Sequence, residues 1–238
     1  LARVLKADGA TYKTIEFSGS GVSTLSLEER ITISNMVVEI GAKAGIFEYD
    51  AKTAEWFSQH NILVDTDPVS ADSDAVYCQT VIVDLNQLVP QIAKPHTVDN
   101  VSDVADLEGM AFQQANLGTC TNGRLSDLIV VRDVLKGNKV AKDVRFYVCP
   151  ASKKVMSDAL KMGIINDLYD SGAIIVTPGC GSCIGACNGI PGNGDKVLST
   201  ANRNFKGRMG NPHAEIYLVS PETLAKSVLQ GKVVDPTK

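Results

Sequence analysis

Residues 177–189 read TPGCGSCIGACNG, and they place Cys180, Cys183 and Cys187, three of the six cysteines, within eight positions. Glycines punctuate the stretch, and it follows the apolar run AIIV at 173–176. An apolar, β-branched run that ends in Thr-Pro-Gly predicts a buried strand leaving into a loop. Segments on both sides repeat this pattern. GMAFQQANLG then LSDLIVVRDVLKGN predicts strand, turn and helix, and VRFYVCP then SKKVMSDALKMG predicts the same. INDLYDSG predicts a helix, and AEIYLVS followed by PETLAKSVLQG closes the series, with Pro221 near the first helical turn. Continuous apolar strands alternating with amphipathic helices indicate an α/β fold, a mainly parallel sheet covered on both faces.

The N-terminal third reads less regularly. YKTIEF at 12–17 alternates like a strand, while the opening at 1–17 reads as the middle of a strand-turn-strand, so a preceding segment is expected. Ser26 with Glu29 forms a capping box ahead of a helix whose stripe is Leu27, Ile31, Ser34 and Val38, with Gly41 or Gly45 to end it. AVYCQTVIVDL at 75–85 is β-rich, and KPHTVDNVSDV looks like a linker. Two α/β domains, 1–98 and 99–238, are therefore expected.

The chain has 238 residues, 44% hydrophobic and 21% charged, enough for a real core in each domain. A net charge of −4 argues against a general nucleic-acid binder, and no apolar run approaches the roughly 20 residues of a membrane span. A chain of this size does not need disulfides, so clustered thiols point to metal or redox chemistry in a reducing, cytoplasmic compartment.

In parallel sheets functional groups collect beyond the carboxyl ends of strands. Cys120, in GTCTNG, follows one strand and Cys180 and Cys183 follow another. Three thiols from two strand ends are thus candidates for one site. Cys78 and Cys149 read as small buried hydrophobes within or at the end of strands. Cys-x-x-Cys alone is ambiguous between a redox dithiol and zinc, and structural zinc wants four ligands, for which Cys187 or a histidine is the only supply. Three thiolates also suit a [4Fe–4S] cluster with one iron left open as a Lewis acid. Asn35 and Glu39 are i,i+4 neighbours on one helix face, a pair that also occurs on ordinary solvated faces. Arg203 and Arg208 flank a turn-like NFKG, where two guanidinium groups either bind carboxylate together or serve as surface charge. His60, His96 and His213 show no paired spacing and read as structural or exposed.

GTCTNGRLSDL, PGCGSCIG and STANRNFKGRMGNPHAEIYLVSPETLA, in this order and with ITISNMVVEIGAKAG before them, resemble the aconitase superfamily. Within it they are most similar to the large subunits of the 3-isopropylmalate dehydratase and homoaconitase group. The resemblance implies three-layer αβα domains and a [4Fe–4S] cluster held by Cys120, Cys180 and Cys183. It implies that Asn35 and Asn202 support the cluster, that Arg203 and Arg208 contact substrate carboxylate, and that Glu39 stands near the departing hydroxyl. The activity implied is isomerisation of a hydroxy acid by loss and return of water, in leucine biosynthesis or, alternatively, on homoaconitate-type or citraconate- and dimethylmalate-type acids. The family's Asp-Ser-His motif is absent from this sequence, and its proton-abstracting serine belongs to a small swivelling subunit. The chain alone is therefore expected to be inactive as a hydro-lyase and to need that partner. A metal-free binding fragment and a thiol-redox protein are the readings from other classes.

Overall fold

A computed structural model describes residues 1–64 and 67–238. In chain order the helices and strands are α1 (Ala2–Leu5), β1 (Thr14–Phe17), α2 (Leu27–Met36), β2 (Ala44–Phe47), α3 (Ala51–Gln59), β3 (Gln91–Ala93), β4 (Val101–Asp103) and β5 (Gln114–Gly118). There follow α4 (Leu125–Leu135), β6 (Arg145–Cys149), α5 (Lys153–Lys161), α6 (Ile164–Asp170), β7 (Ile174–Ile175), β8 (Lys196–Ser199), β9 (Glu215–Leu218) and α7 (Pro221–Gln230). The chain divides into one compact unit of Leu1–Gly9 with Pro90–Lys238, and a second of Ala10–Val89. The division thus falls ahead of the expected 98/99. Residues 93–103 are not a linker, because β3 and β4 pair antiparallel there and complete the edge of the larger sheet.

That sheet has the order β4-β3-β9-β8-β5-β6-β7, with β9, β8, β5, β6 and β7 all parallel. β8, which the sequence pattern did not single out, sits beside β5 in the middle. Helices α4, α5, α6 and α7 form where expected and are fixed by local chemistry. Ser220 caps α7 by accepting from the Thr223 amide, Pro221 occupies the first turn, and Gly231 closes the helix in the left-handed conformation.

Alternation along the strands separates the two sheet faces. One buries Ala115, Leu117, Phe146, Val148, Leu198 and Tyr217 against α4, α5, α6 and α7 in a single core. The other buries Val197, Ile216 and Leu218 with Met209, and no helix contributes to that cluster among the described residues.

In the Ala10–Val89 unit, β1 and β2 form a two-stranded parallel sheet. The capping box is present: the Glu29 amide donates to Ser26 Oγ at 3.3 Å and the Ser26 amide to Glu29 Oε2 at 2.7 Å. The predicted apolar stripe is not what this helix buries. Val38 is 51% exposed, and the most enclosed side chain on α2 is Arg30, whose Nη2 donates to Asp50 at 2.7 Å and to the Val22 carbonyl at 3.0 Å. Asp50 caps α3, so this ion pair ties α2 to α3. The β-rich run 75–85 forms no strand: no ladder partner reaches it among the described residues, and Val76 and Ile82 are 96% and 92% exposed. Cys78 is therefore exposed rather than buried. The opening residues form the short helix α1 rather than a strand.

Candidate functional site

The carboxyl ends of β7, β6, β5 and β8 lie side by side in one parallel sheet. From them leave, in that order, the segments bearing Cys180 and Cys183, then Cys149, then Cys120, then Asn202 and Arg203. β5 ends at Gly118 with φ +126°, and a Cβ there would stand 2.1 Å from the Cys149 carbonyl oxygen. Only glycine allows this approach, which carries the Cys120 segment across the end of β6. Thr200, fully buried beyond β8, fixes that turn. Its Oγ1 accepts from the Gly118 amide at 2.9 Å, and its carbonyl accepts from Asn122 Nδ2 at 3.2 Å. Arg124 Nη2 donates to the Cys120 carbonyl at 3.1 Å, leaving the Cys120 thiol exposed.

Cys180 begins a turn over Gly181–Ile184 in which the Cys183 amide donates to the Cys180 carbonyl at 2.8 Å. Cys180 is exposed, and Cys183 is buried beside Thr119, Ser199, Ala201 and Met209. Arg208 reaches in from the 200–210 loop, and its Nη2 donates to Cys183 Sγ at 3.2 Å. Arg208 Nε is buried with no acceptor among the described residues. Asn202 is buried and Arg203 half-buried at the exit of β8.

Cys149 is buried as expected, but it is more than a small hydrophobe. Its thiol donates toward the carbonyls of Gly179 at 3.2 Å and Thr177 at 3.5 Å, just ahead of Cys180. Burial pushes the Cys149 thiol up, outweighing the hydrogen bond at Gly179 that lowers it, and so favours the protonated thiol. A cysteine closing a strand was the only sequence signal for this contact.

Asn35 and Glu39 lie in the Ala10–Val89 unit, both half-buried. They are not i,i+4 neighbours on one α-helix: α2 ends at Met36 and Glu39 belongs to a 3-10 turn over Val37–Ile40, closed by Gly41 at φ +86°. His60, His96 and His213 are exposed, with His60 stacked on Trp56. Among the described residues no three His, Cys, Asp or Glu side chains stand together as a metal-ligand group. The three candidate thiols thus share a sheet edge without being gathered at one point.

Fold and edge define an α/β protein with a thiol-bearing parallel sheet. The chain matches the aconitase family (aconitate hydratase) over residues 1–109 and 103–231, and it belongs to that family. It is 49% identical over 232 residues to the 3-isopropylmalate dehydratase large subunit 2 of Archaeoglobus fulgidus, covering 98% of this chain and 56% of that protein. It is 48% identical to the large subunit 1 of that enzyme from Thermotoga maritima, covering 100% of this chain and 57% of the relative. A probable methanogen homoaconitase large subunit of Methanosarcina mazei is 47% identical over 97% of this chain and 58% of its own length. The chain spans a little over half the length of these relatives.

Proposed function

We propose that this chain is the cluster-bearing part of a hydro-lyase large subunit, of the 3-isopropylmalate dehydratase type. Supporting this above all, near-half identity to such subunits runs through the whole chain, and Cys120 and the Cys180–Cys183 pair leave the carboxyl ends of β5 and β7, one strand apart in the same parallel sheet. The donor chemistry fits a [4Fe–4S] cluster, which takes thiolates and is tuned by N–H groups around its sulfurs. The unpartnered, buried Arg208 Nε is a donor in need of an anionic acceptor, which also fits. Ligation would draw the three sulfurs together from their present places.

When bound, a cluster held by three protein thiolates supplies one open iron as a Lewis acid toward hydroxyl and carboxylate oxygens. Arg208 and Arg203 hold substrate carboxylate, since a guanidinium offers a fork of donors matched to two oxygens. Asn202, anchored beyond β8, and Asn35 support the cluster. Glu39 is the residue that the family resemblance sets near the departing hydroxyl. The base that takes the carbon-bound proton comes from a small swivelling subunit, which makes that subunit the expected partner. Six free cysteines among the described residues suit a reducing, cytoplasmic compartment. No described helix is long and apolar enough to cross a membrane.

The test is anaerobic reconstitution with iron and sulfide, then assay with and without a small subunit. Broad visible absorbance, and isomerisation of isopropylmalate-type acids by loss and return of water only when the subunit is added, support the proposal. Preference for homoaconitate-type acids moves the substrate to the alternative, as the Methanosarcina mazei relative's name would have it. A metal-free binding fragment is the reading from another class. Failure to take up iron, with a partner still bound, would establish it. A dithiol couple without iron uptake would mark a redox protein.

A further inference from the structure

The face of β5 opposite the helices is polar, which is unusual for a central strand. Gln114 and Asn116 are both buried there. Each spends its amide on a loop of the thiol edge. Gln114 Nε2 donates to the Gly189 carbonyl at 2.6 Å, just past Cys187, and Asn116 Nδ2 approaches Met209 Sδ at 3.2 Å, next to Arg208. Cys149, ending the neighbouring strand, donates to the Gly179 carbonyl just before Cys180.

We propose that Gln114 and Cys149 are positioning residues of the 179–189 loop: they tether its two ends to adjacent strands and thereby set where the thiols of Cys180 and Cys183 stand. Between the tethers the loop rests on the 209–210 backbone. A Cβ at Gly185, whose φ is +66°, would lie 2.2 Å from the Gly210 nitrogen. Within it, backbone bonds run from Cys183 to Cys180 and from Ala186 to Gly181, so fixing the ends fixes the turn that displays the thiols. The Gly189 residue is buried, so its carbonyl deprived of a donor must find water, and the cheapest way is for the loop to lift; at the exposed Gly179 the Cys149 bond holds the other end in place. The tether itself is independent of any cofactor, whereas its consequence for a cluster rests on the function proposed above.

The test is thiol labelling of the iron-free full chain by a maleimide, with each cysteine followed by mass spectrometry. Gln114→Met keeps volume and removes the donor, Cys149→Ala removes the other, and Cys149→Ser restores a donor. Gln114→Met and Cys149→Ala are expected to label Cys183 roughly five- to tenfold faster than the parent chain, the factor that one lost hydrogen bond gives an opening equilibrium. Cys149→Ser should return to within about twofold. Unchanged Cys183 labelling in both donor-less variants, or equal acceleration in Cys149→Ser and Cys149→Ala, overturns the proposal. If either donor-less variant does not fold, amide exchange of the parent chain decides: slow exchange at Cys183 and Ala186 supports the tethers, and exchange at free-peptide rates refutes them. Where the parent chain takes up iron, the same variants should lose it faster to a chelator. Where it takes up none, the proposed function fails while the labelling result still stands.

Discussion

The two units of this chain are comparably rich in apolar residues and differ in what they bury. In the Pro90–Lys238 region, apolar residues of five parallel strands and four helices meet in one core, with Leu128, Val131, Phe146, Val148 and Leu224 fully enclosed. In Ala10–Val89, the side chains most enclosed are Ala10, Val37, Ile40, Ala42 and the ion-paired Arg30, while Leu63, Val69, Val76 and Ile82 stand open to solvent. A two-stranded parallel sheet is a poor stabiliser, since parallel strands are ordinarily covered on both faces and flanked by others. An apolar residue stabilises only what it is packed against, so similar composition yields unequal stability.

Hydrogen exchange should break or sharpen that contrast most strongly. Amides of β5, β6 and β8 are expected to exchange at least about a thousandfold more slowly, relative to free peptide, than those of β1 and β2. Comparable protection in both units would contradict it. Truncation comes next. Phe146→Ala should cost about 3–5 kcal/mol and Leu128→Ala about 2–5 kcal/mol of unfolding free energy, whereas Ile82→Ala or Val69→Ala should stay within about 0.5 kcal/mol. Denaturant titration reads the difference. Gly185→Ala should cost about 1–3 kcal/mol, because a left-handed backbone and a blocked approach to Gly210 coincide there.

The pH responses should be smaller and opposite in direction. The Arg30 guanidinium bonded to Asp50 holds its carboxyl well below the usual carboxylate range. Its folded value lies below the unfolded one, so its contribution is present above about pH 4 and fades as pH falls further. Unfolding of Ala10–Val89 should therefore ease in acid, and Asp50→Asn should flatten that slope. In the larger unit, burial and then the bond to Glu215 push the Tyr217 hydroxyl up to about 12. A raised folded value means stability present below about pH 10 and lost as pH climbs from there toward 12. Tyr217→Phe should remove that alkaline loss.

The same contrast explains what the sequence disclosed. Strand-helix alternation from residue 110 onward placed β5, β6, β7 and β9 and helices α4 to α7, because each periodic face found a partner. It passed over β8, whose four residues follow a glycine-rich turn, β3, and β4, hidden in a stretch with the look of a linker. Period alone failed in 75–85, since β-propensity makes a strand only where a ladder partner is within reach. At the thiol edge the order of the cysteines along the chain located the loops. The roles of Cys149, Gln114 and Asn116 were illegible, because a buried amide or thiol in a strand shows its purpose only when the loop it bonds is seen. The helix of Asn35 and Glu39 was read as continuous, and the 3-10 turn that ends it depends on Gly41 packing against Thr11, a contact distant in sequence.

The measurement that bears most directly on the account is iron and acid-labile sulfide in the anaerobically reconstituted chain, taken one cysteine at a time. The account predicts about four of each per chain, lost in Cys120→Ser, Cys180→Ser and Cys183→Ser and kept in Cys187→Ser and Cys78→Ser. Full iron content in Cys120→Ser, with loss instead in Cys187→Ser, would contradict it.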